Sequence, residues 1–451
     1  MHRHEAGRTA TTIHTIMLKR PWHPCRLVLA SLGLFLTAHA YAATYYVDPA
    51  KGKMTNSGSS SSPWSTLEAV FAAKKTFAAG DTIILRNGYH GFPTVRGKNS
   101  GNVTIRPESG HKPKLRKLLF TDASRWVVKD LDISPLHAGS SSYDTGRTVE
   151  MAKSSSYITL QDCLIRSVFS VSGWTLSQWQ TGRLGTAVFC RAPYSTITGN
   201  EIRNVGGGIT VYTEAHHTVV SYNVIDTIRD DGFRGLASDC RFEYNTLRNM
   251  YAIDSNHDDA FQSWTVGADG KVGTGVLRNV VLRGNVFISY TDPNQPWKAS
   301  MQGIALFDGL YENWVIENNV IITDMWHGIA LYGGRNCRIV NNTVVKNPIN
   351  AKAYTPWIQV SPDPSGTASS GTTVHNNLTT KLNFSGSGSV QNNLITTSYT
   401  SHFVDFAKFN VRLKSSSTAV NKGASTYAPK IDADLRTRSA PVDIGAFEYL
   451  P

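Results

Sequence analysis

Two pairs of adjacent aspartates, with an arginine and a histidine beside them, form the densest group of ionisable residues in the chain. The group consists of Asp230, Asp231, Arg234, His257, Asp258 and Asp259. Four carboxylates that meet in space cannot all be ionised unless a shared proton, a basic side chain or a metal ion neutralises them. A shared proton would place a general acid beside a general base, which is what glycosidic hydrolysis requires.

A bound Ca²⁺ ion offers a different chemistry for the same four aspartates, because calcium prefers oxygen ligands. Such an ion could neutralise the carboxylate of a uronate sugar and acidify its C5 proton. Arg234, His257 or Lys298 could then remove that proton, and β-elimination would follow. The alternative without function is that these aspartates cap turns and pair locally with arginines, since Asp is common in turns.

A repeated phrase, an apolar strand ending in asparagine, indicates what brings the two aspartate pairs together. Asn200, Asn223 and Asn245 lie 23 and 22 positions apart, and Asn319 and Asn342 are again 23 apart. A fixed period in the low twenties with strand-type residues and no helical pattern is typical of a β-solenoid. We expect the stacked asparagines to be structural, hydrogen-bonded along the stack at a turn that tolerates left-handed backbone.

A small residue opens one strand in each of five rungs and gives the alignment between them. These residues are Gly208, Gly232, Ala260, Gly303 and Gly328. Alignment on this position places Asp231 beside Asp259, and the residues before them, Asp230 and Asp258, also fall side by side. Equivalent positions on adjacent rungs are about 4.8 Å apart. The alignment therefore predicts that all four carboxylates meet on one face of the solenoid.

Insertions of variable length collect at the corner before these strands, where they would form one wall of a groove. Loops on a rigid scaffold often carry binding residues, and exposed tryptophans can stack on sugar rings. We expect substrate binding by Trp174, Trp179, Gln262, Trp264, Trp297, Lys298, Trp326 and His327. Among them, Trp174, Trp179 and Trp297 lie in polar insertions and are the first choice as sugar platforms.

Three motifs resemble those of right-handed parallel β-helix proteins of the pectin-lyase-like superfamily. One is the lead-in Tyr45-Tyr46-Val47-Asp48-Pro49, another is the asparagine-ended rung, and the third is the closing stretch at 443–449. The resemblance covers essentially all of the chain after residue 43. It implies an all-β, right-handed parallel β-helix, a fold that carries polysaccharide lyases, inverting hydrolases, C5-epimerases and phage-type binding proteins.

The beginning of the chain predicts export. Lys19 and Arg20 precede an apolar run at 27–36, and Ala40-Tyr41-Ala42 has the small-x-small pattern of a cleavage site. We expect a signal peptide at 1–43, with Met17 as an alternative start, and a periplasmic or secreted product. The apolar run is too short and interrupted to predict a membrane anchor, and no other stretch could span a membrane.

Charge indicates the kind of partner. The net charge of +12 falls to +8 when residues 1–43, with five basic residues and one acidic residue, are removed. A basic exported protein suits a polyanion, and we expect an acidic polysaccharide. Nucleic acid is excluded as a partner because the signal peptide points away from it and no basic cluster stands out. We expect a monomer.

Domain boundaries and cysteines complete the expectations. We predict an N-terminal strand and capping helix at 44–95, with the helix from Leu67 to Phe77, a β-helix at 96–412 and a C-terminal cap at 413–451. Cys240 and Cys337 occupy the same point on rungs too far apart for a disulfide, so we expect buried thiols. A bridge between Cys163 and Cys190 is left open.

From the sequence, the first choice is therefore an exported lyase that cleaves a uronate-containing polysaccharide with the help of Ca²⁺. The alternative is an inverting glycoside hydrolase that uses two of the four aspartates. A C5-epimerase would share the proton abstraction of a lyase, and a non-catalytic glycan-binding β-helix would use the same face without turnover.

Overall fold

The computed structural model describes residues 42–139, 146–182, 184–349 and 354–451, so nearly all of the predicted signal peptide lies outside the described residues. Residues Ala42–Pro451 form one compact unit. Within it, short strands wind into a parallel coil, because each strand pairs in register with the equivalent strand of the next rung. No helix in the described ranges is both long and apolar enough to cross a membrane.

Three parallel sheets make up the faces of the coil. The first sheet contains Val149–Met151, Val188–Cys190, Ile209–Val211, Phe233–Gly235, Asp259–Trp264, Gln302–Asp308, His327–Tyr332, Trp357–Ser361 and Lys381–Phe384. The second contains Ser156–Gln161, Thr196–Thr198, Val219–Ser221, Arg241–Glu243, Val281–Arg283, Val315–Glu317, Arg338–Val340, Ser369–His375 and Gly386–Gln391. The third contains Gly88–Tyr89, Pro113–Leu115, Asp132–Ile133, Leu164–Arg166, Glu201–Val205, Val224–Ile228, Thr246–Met250, Val286–Ile288, Val320–Thr323, Thr343–Lys346, Leu378–Thr379 and Leu394–Ile395.

The remaining elements lie at the two ends, between the sheets and in one loop. The N-terminal rungs use Thr44–Val47, Thr82–Leu85 and two long strands, Thr94–Pro107 and Leu118–Lys129, that run through the first two sheets. Shorter strands between the first and second sheets are Val276–Arg278, Leu310–Glu312 and Gly334–Arg335. The α-helices are Leu67–Ala72, Leu176–Thr181 and Tyr399–His402, the 3₁₀ helices are Pro135–Ala138 and Phe406–Lys408, and Phe403–Asp405 pairs antiparallel with Asn410–Leu413.

The predicted alignment of the first-sheet strands is confirmed. Phe233 pairs with Phe261, which pairs with Ile304, and these side chains enter the core. The next column, facing outward, pairs Arg234 with Gln262. Alternation of inward apolar and outward polar residues is the pattern of a half-buried strand, and each fully buried apolar side chain stabilises the coil by roughly 2 kcal/mol.

The asparagine ladder joins neighbouring rungs after the second sheet. The side-chain amide of Asn223 donates to Oδ1 of Asn245 at 3.0 Å, and Asn245 donates to Oδ1 of Asn285 at 3.0 Å. The left-handed backbone lies one position earlier than we expected, at Tyr222 (φ 56°) and Tyr244 (φ 55°). The ladder asparagine is therefore structural as predicted, but its side chain makes the stack while its neighbour makes the turn.

Asn245→Ala is expected to lower the free energy of unfolding by about 3 kcal/mol, because it removes four buried hydrogen bonds, one to each of four partners. Those partners are the backbone and side-chain amides of Asn223, the carbonyl of Val220 and Oδ1 of Asn285. Urea unfolding measures the loss. Asn393→Ala, at the half-buried end of the ladder, is the matched control and should cost clearly less; equal losses would contradict this account.

The N-terminal helix is shorter than predicted. It runs Leu67–Ala72 and not to Phe77, because Lys74 adopts a left-handed conformation (φ 53°) that ends it. Thr66 is the N-cap, and its side chain accepts from the amide of Ala69. The helix buries Leu67 and Phe71 in the core, as a capping element should.

The C-terminal segment covers the outer face of the third sheet. Ile444 and Phe447 of the closing motif pack with Val320 and Ile322 of that sheet. Arg438 and Glu448 form a buried ion pair at 3.1 Å. Phe403 and Val411, which precede the predicted boundary at 413, belong to the same cluster.

The four cysteines at 163, 190, 240 and 337 are free and buried, so no Cys163–Cys190 bridge is formed. Burial raises the pKa of Cys240 to about 12, which makes its thiol unreactive at neutral pH. The expectation of buried core thiols for Cys240 and Cys337 is confirmed.

Candidate active site

The acidic cluster, which we define as Asp230, Asp231, Asp258 and Asp259, lies where the chain enters the first sheet. Asp231 accepts from the backbone amide of Asp259 at 2.9 Å, and the amide of Gly232 donates to the carbonyl of Asp259 at 2.9 Å. A Cβ at Gly232 would lie 1.9 Å from Cδ1 of Leu247 and 2.8 Å from the backbone carbonyl oxygen of Ala260, so a larger residue would displace both. The structure thus brings the two predicted pairs together on neighbouring rungs.

Arg234 neutralises one side of the cluster. Its Nε donates to Asp231 at 2.7 Å, and one terminal nitrogen donates to Asp230 at 3.2 Å. Burial lowers the pKa of Arg234, but Asp231 and Asp230 outweigh burial, and the net shift is upward. Burial also raises the pKa of Asp231, with a further contribution from Asp230, in spite of this ion pair. Arg234 is therefore a permanent cation here and a poor candidate for a base.

Asp258 is the carboxyl group with the most strongly raised pKa at this site. It is buried, and its described hydrogen-bond partner is the side-chain amide of Asn256, 3.4 Å from Oδ1. The same amide nitrogen donates to Asp230 at 3.1 Å. Burial, followed by the negative charge of Asp230 and Asp231, raises the pKa of Asp258 to about 8. At neutral pH this carboxyl group is consequently protonated.

His257 and Gln262 surround the fourth aspartate. Asp259 is fully buried, and its Oδ2 accepts from Gln262 at 2.8 Å and lies 3.3 Å from Nδ1 of His257. The hydrogen bond with Asp259 raises the pKa of His257 to about 9, while the His257 side chain remains 63% exposed. His257 is thus a solvent-facing imidazolium at neutral pH, and its partner Asp259 lies beneath it.

The cluster does not fit the predicted calcium site in this arrangement. Ca²⁺ needs several oxygen ligands that converge with free lone pairs. Both carboxylate oxygens of Asp231 already accept hydrogen bonds, one of them from Arg234, which supplies the neutralising charge. Across the described ranges, no three His, Cys, Asp or Glu side chains are placed to hold one ion together.

An exposed aromatic surface lies on the rungs that follow the cluster. Trp326 is 42% exposed and stacks parallel to Trp357, with ring centroids 6.1 Å apart, and Tyr354 packs edge-on against it. His327 lies next to them and is held by Gln302, whose Oε1 is 2.6 Å from Nδ1. Burial lowers the pKa of His327, so it is neutral at neutral pH. Trp326 and His327 thus lie together with Trp357 and Tyr354 on the rungs after the cluster, and their role in substrate binding stays a prediction.

Three tryptophans that were predicted to bind substrate pack instead in a cluster of loop residues. Trp179 is only 1% exposed and stacks on Tyr251 at 4.5 Å, and Trp174 and Trp297 pack against the same loop cluster. The prediction that Trp179 is a sugar platform is wrong, because its faces are buried between loops. Trp174 and Trp297 are half-buried and serve the same loop packing.

Two further predicted substrate ligands, Lys298 and Trp264, differ in their distance from the acidic cluster. Lys298 donates from Nζ to the carbonyl of Gln295 at 2.8 Å, within its own loop. Trp264 follows Gln262 on the outward face, and the Arg234 guanidinium lies 5.9 Å from the centre of its ring. Trp264 therefore borders the acidic cluster, whereas the ammonium group of Lys298 stabilises a loop.

Sequence reasoning missed Asn256, Gln302 and Trp357. Asn256 bridges Asp230 and Asp258, and it lies one position before the predicted His257. Gln302 falls in the column of Asp259, so the alignment contained a signal for it. Trp357 pairs with His327 across a register shift, and nothing in the repeat pattern gives that position.

Trp326→Ala is expected to raise KM about fivefold with kcat within twofold, since loss of one stacking ring removes roughly 1 kcal/mol of binding shared by ground and transition states. Steady-state kinetics on a polysaccharide substrate measure the effect. Trp297→Ala is the matched comparison, which should lower thermal stability without changing KM. If instead Trp297→Ala raised KM and Trp326→Ala lowered only the thermal stability, the loop cluster and not the exposed aromatic surface would bind the sugar.

The parallel coil and its stacked asparagines define a right-handed parallel β-helix. Residues 117–288 match the family model described as right handed beta helix region, and the predicted fold is confirmed. No curated protein sequence matches the chain significantly.

Several solved structures are similar to the chain. A pectate lyase is 16% identical, with a TM-score of 0.47, over 90% of this chain and 96% of that one. A rhamnogalacturonan lyase is 12% identical, with a TM-score of 0.48, over 73% and 87%. A lacto-N-biosidase from Eubacterium ramulus is 13% identical, with a TM-score of 0.45, over 78% and 68%. At these identities and TM-scores, these similarities carry no statement about the activity of this chain.

Proposed function

We propose that this protein is an exported enzyme that hydrolyses glycosidic bonds in an acidic polysaccharide, with Asp258 as general acid. The observation that carries the proposal is the raised pKa of Asp258, about 8, beside two further carboxyl groups, those of Asp230 and Asp231, that both pair with Arg234. Glycosidic hydrolysis needs one protonated and one ionised carboxyl group near the same bond, and a protonated Asp258 beside the ion pairs of Arg234 supports such a pair.

Asp230 is the best candidate for the general base. Its side chain is 36% exposed, whereas the other three aspartates are buried, so it is the one that a water molecule can reach most easily. Arg234 and Asn256 fix its orientation through hydrogen bonds. Asp258 would protonate the leaving oxygen while Asp230 removes a proton from the attacking water, and the bond from the sugar to that oxygen breaks.

The other residues of the site position these two groups. Asp231 accepts a hydrogen bond from Arg234 at Oδ2 and another from the backbone amide of Asp259, on the next rung, at Oδ1. It therefore fixes the distance between the two aspartate pairs. Asp259 and Gln262 hold each other at the floor of the site. The cationic His257 extends into solvent beside them and could contact a carboxylate of the substrate, which favours an acidic polymer.

Elimination is the second candidate because of one observation, the exposure of His257 beside the buried Asp259. A lyase needs a neutral base, and the pKa of His257 is raised to about 9. Elimination by this residue would therefore require alkaline solution, whereas hydrolysis by Asp258 would fail there. The two mechanisms thus predict opposite responses to pH.

A product assay across pH separates the two. The chain from residue 43 onward is incubated with uronate and neutral polysaccharides between pH 5 and 10. Hydrolysis produces reducing ends without ultraviolet absorbance, and the rate falls as pH rises through about 8, where Asp258 loses its proton. Reducing ends with a new C4–C5 double bond, increasing above pH 9, would establish elimination. No product from any polymer would overturn the enzymatic proposal.

A further inference from the structure

The last rung of the coil has a free edge in all three sheets. It consists of the strands Lys381–Phe384, Gly386–Gln391 and Leu394–Ile395. Each of them pairs with the preceding rung on one side, and no described strand pairs with its other side. We call the free side of these three strands the open end. An unpaired strand edge presents N–H and C=O groups, so the open end can accept strands of another chain.

The hydrophobic core also reaches the surface at the open end. On the preceding rung, Val374 is fully buried. The residue that continues its column on the last rung, Val390, is 42% exposed. Leu382 and Phe384, which continue two other columns of the core, are half-buried. The open end therefore joins an apolar surface to an unpaired strand edge, and soluble proteins usually cover such a combination.

The opposite end of the coil is covered. A loop occupies the outer edge of the first strand, Thr44–Val47: the amide of Tyr46 donates to the carbonyl of Gly58 at 2.7 Å, and the amide of Trp64 donates to the carbonyl of Tyr46 at 2.9 Å. The helix Leu67–Ala72 packs on the core at this end. The C-terminal segment gives the open end no such cover, because it lies on the outer face of the third sheet.

Charge does not protect the open end. Exposed edge strands usually carry lysines or other charged residues that oppose pairing with a second chain. Residues 381–395 contain a single charged side chain, that of Lys381. Its Nζ lies 5.0 Å from the ring centre of Trp357, on the preceding rung, so the ammonium group is directed away from the free edge. Gly386 and Ser387 of the middle strand are exposed and small, which leaves room for a second backbone.

We infer that the open end binds the open end of a second copy of this chain, so that the protein is a two-fold dimer. A two-fold axis through the middle of Gly386–Gln391 places this strand antiparallel to its copy, and the free backbone groups of both edges then pair. The exposed part of Val390 is buried in the same contact. Because the last rung carries almost no charge, two copies can meet there without repulsion.

The association closes at two copies. A head-to-tail contact would need a free edge at the opposite end of the coil, and there the outer edge of Thr44–Val47 is occupied. An interface that uses the same surface on both copies gives a closed dimer and not a filament. The inference does not rest on the proposed function, and it differs from the monomer that we expected from the sequence.

Sedimentation equilibrium of the protein from residue 43 onward tests the inference. We expect a monomer–dimer equilibrium in which the mass near about 100 µM is twice that of one chain. The mass of a single chain at every concentration would overturn the inference. Masses that continue to increase beyond two chains would also overturn it, because a two-fold contact through the open end cannot grow.

Two lysine substitutions locate the interface. Val390→Lys should raise the dissociation constant at least about a hundredfold, because the two-fold axis buries the added charge twice. Ser387→Lys changes an exposed side chain outside the core and should raise it at least about tenfold, because it brings like charges together across the antiparallel pair. Val272→Lys, at an exposed valine in the loop of an earlier rung, is the matched control and should leave the dissociation constant unchanged.

Thermal unfolding checks that each variant is folded, and Ser387→Lys decides the test if Val390→Lys does not fold. A dimer that is as tight in Ser387→Lys as in the original protein overturns the inference. Hydrogen exchange gives an independent measurement: the amides of Gly386–Gln391 should exchange more slowly near about 100 µM than near about 1 µM, whereas those of Thr44–Val47 should not respond to concentration. Exchange of Gly386–Gln391 that is independent of concentration in a dimerising protein would place the contact elsewhere and overturn the inference.

Discussion

Asp258→Asn is expected to lower kcat about a thousandfold while KM changes little, because an amide keeps the size and hydrogen bonds of the side chain but cannot donate the acid proton. The neighbouring Asp230, Asp231 and Arg234 retain their contacts in this variant. Initial rates of reducing-end formation at pH 6.5 measure the loss, and substrates with better leaving groups should suffer less from it.

Asp254→Asn is the matched control for this prediction. Asp254 is exposed in the same loop, and its Oδ1 accepts from the backbone amide of Asn256, a bond that asparagine can also form. We expect kcat within about twofold of the original protein. If Asp258→Asn keeps more than a tenth of the original kcat, Asp258 is not the general acid.

Asp258→Asn should also change the stability of the protein, and this effect can be measured without substrate. The pKa of Asp258 is raised from 3.8 to about 8, so the folded protein holds a proton that the unfolded chain releases between these values. Its stabilising contribution is complete below pH 4 and is lost as pH rises through 8. Asp258→Asn should therefore be more stable than the original protein by on the order of 3 kcal/mol at pH 8, with the difference vanishing near pH 4.

The architecture and the pairing of rungs could be predicted because the geometry of a β-helix leaves little freedom. Small residues such as Gly232 and Ala260 occupy one corner, and the asparagines occupy another. With two landmarks in every rung, the column that joins Asp231 to Asp259 follows from counting residues. The physical reason is that parallel strands must pair in register to satisfy their backbone groups.

The environment of each side chain could not be predicted in the same way. Trp179 and Trp326 both lie in irregular segments, yet Trp179 is buried under loops and Trp326 is exposed. Loop packing depends on contacts between distant insertions, which repeat spacing does not encode. The protonation states of His257 and Asp258 likewise depend on burial and on a hydrogen bond to Asp259 that only the folded structure provides.

Arg234→Gln is expected to lower the free energy of unfolding by about 3–5 kcal/mol at pH 8, because it removes one partner of a largely buried ion pair and leaves the other uncompensated. Asp231 is 4% exposed, and its Oδ2 would lose its donor. Urea unfolding at several pH values measures the change.

The pH dependence of that loss identifies its cause. Without the guanidinium the pKa of Asp231 rises further, so the folded variant takes up a proton as pH falls and the penalty of the buried charge disappears. The destabilisation should therefore shrink steadily from pH 8 towards pH 4. A loss of constant size would point to packing of the arginine side chain and not to its charge.

Arg241→Gln is the matched control, because Arg241 makes a similar two-point contact with Glu243 but its side chain is 51% exposed. Glu243 is buried but keeps its second partner, Arg283, at 2.9 Å, so loss of the half-exposed Arg241 should cost at most about 1 kcal/mol and depend little on pH. Arg234→Lys keeps the charge but cannot span Asp230 and Asp231 with a planar fork, so it should retain part of the stability and less of the activity. This ordering requires that Arg234 both neutralises the cluster and fixes Asp230 in place for catalysis.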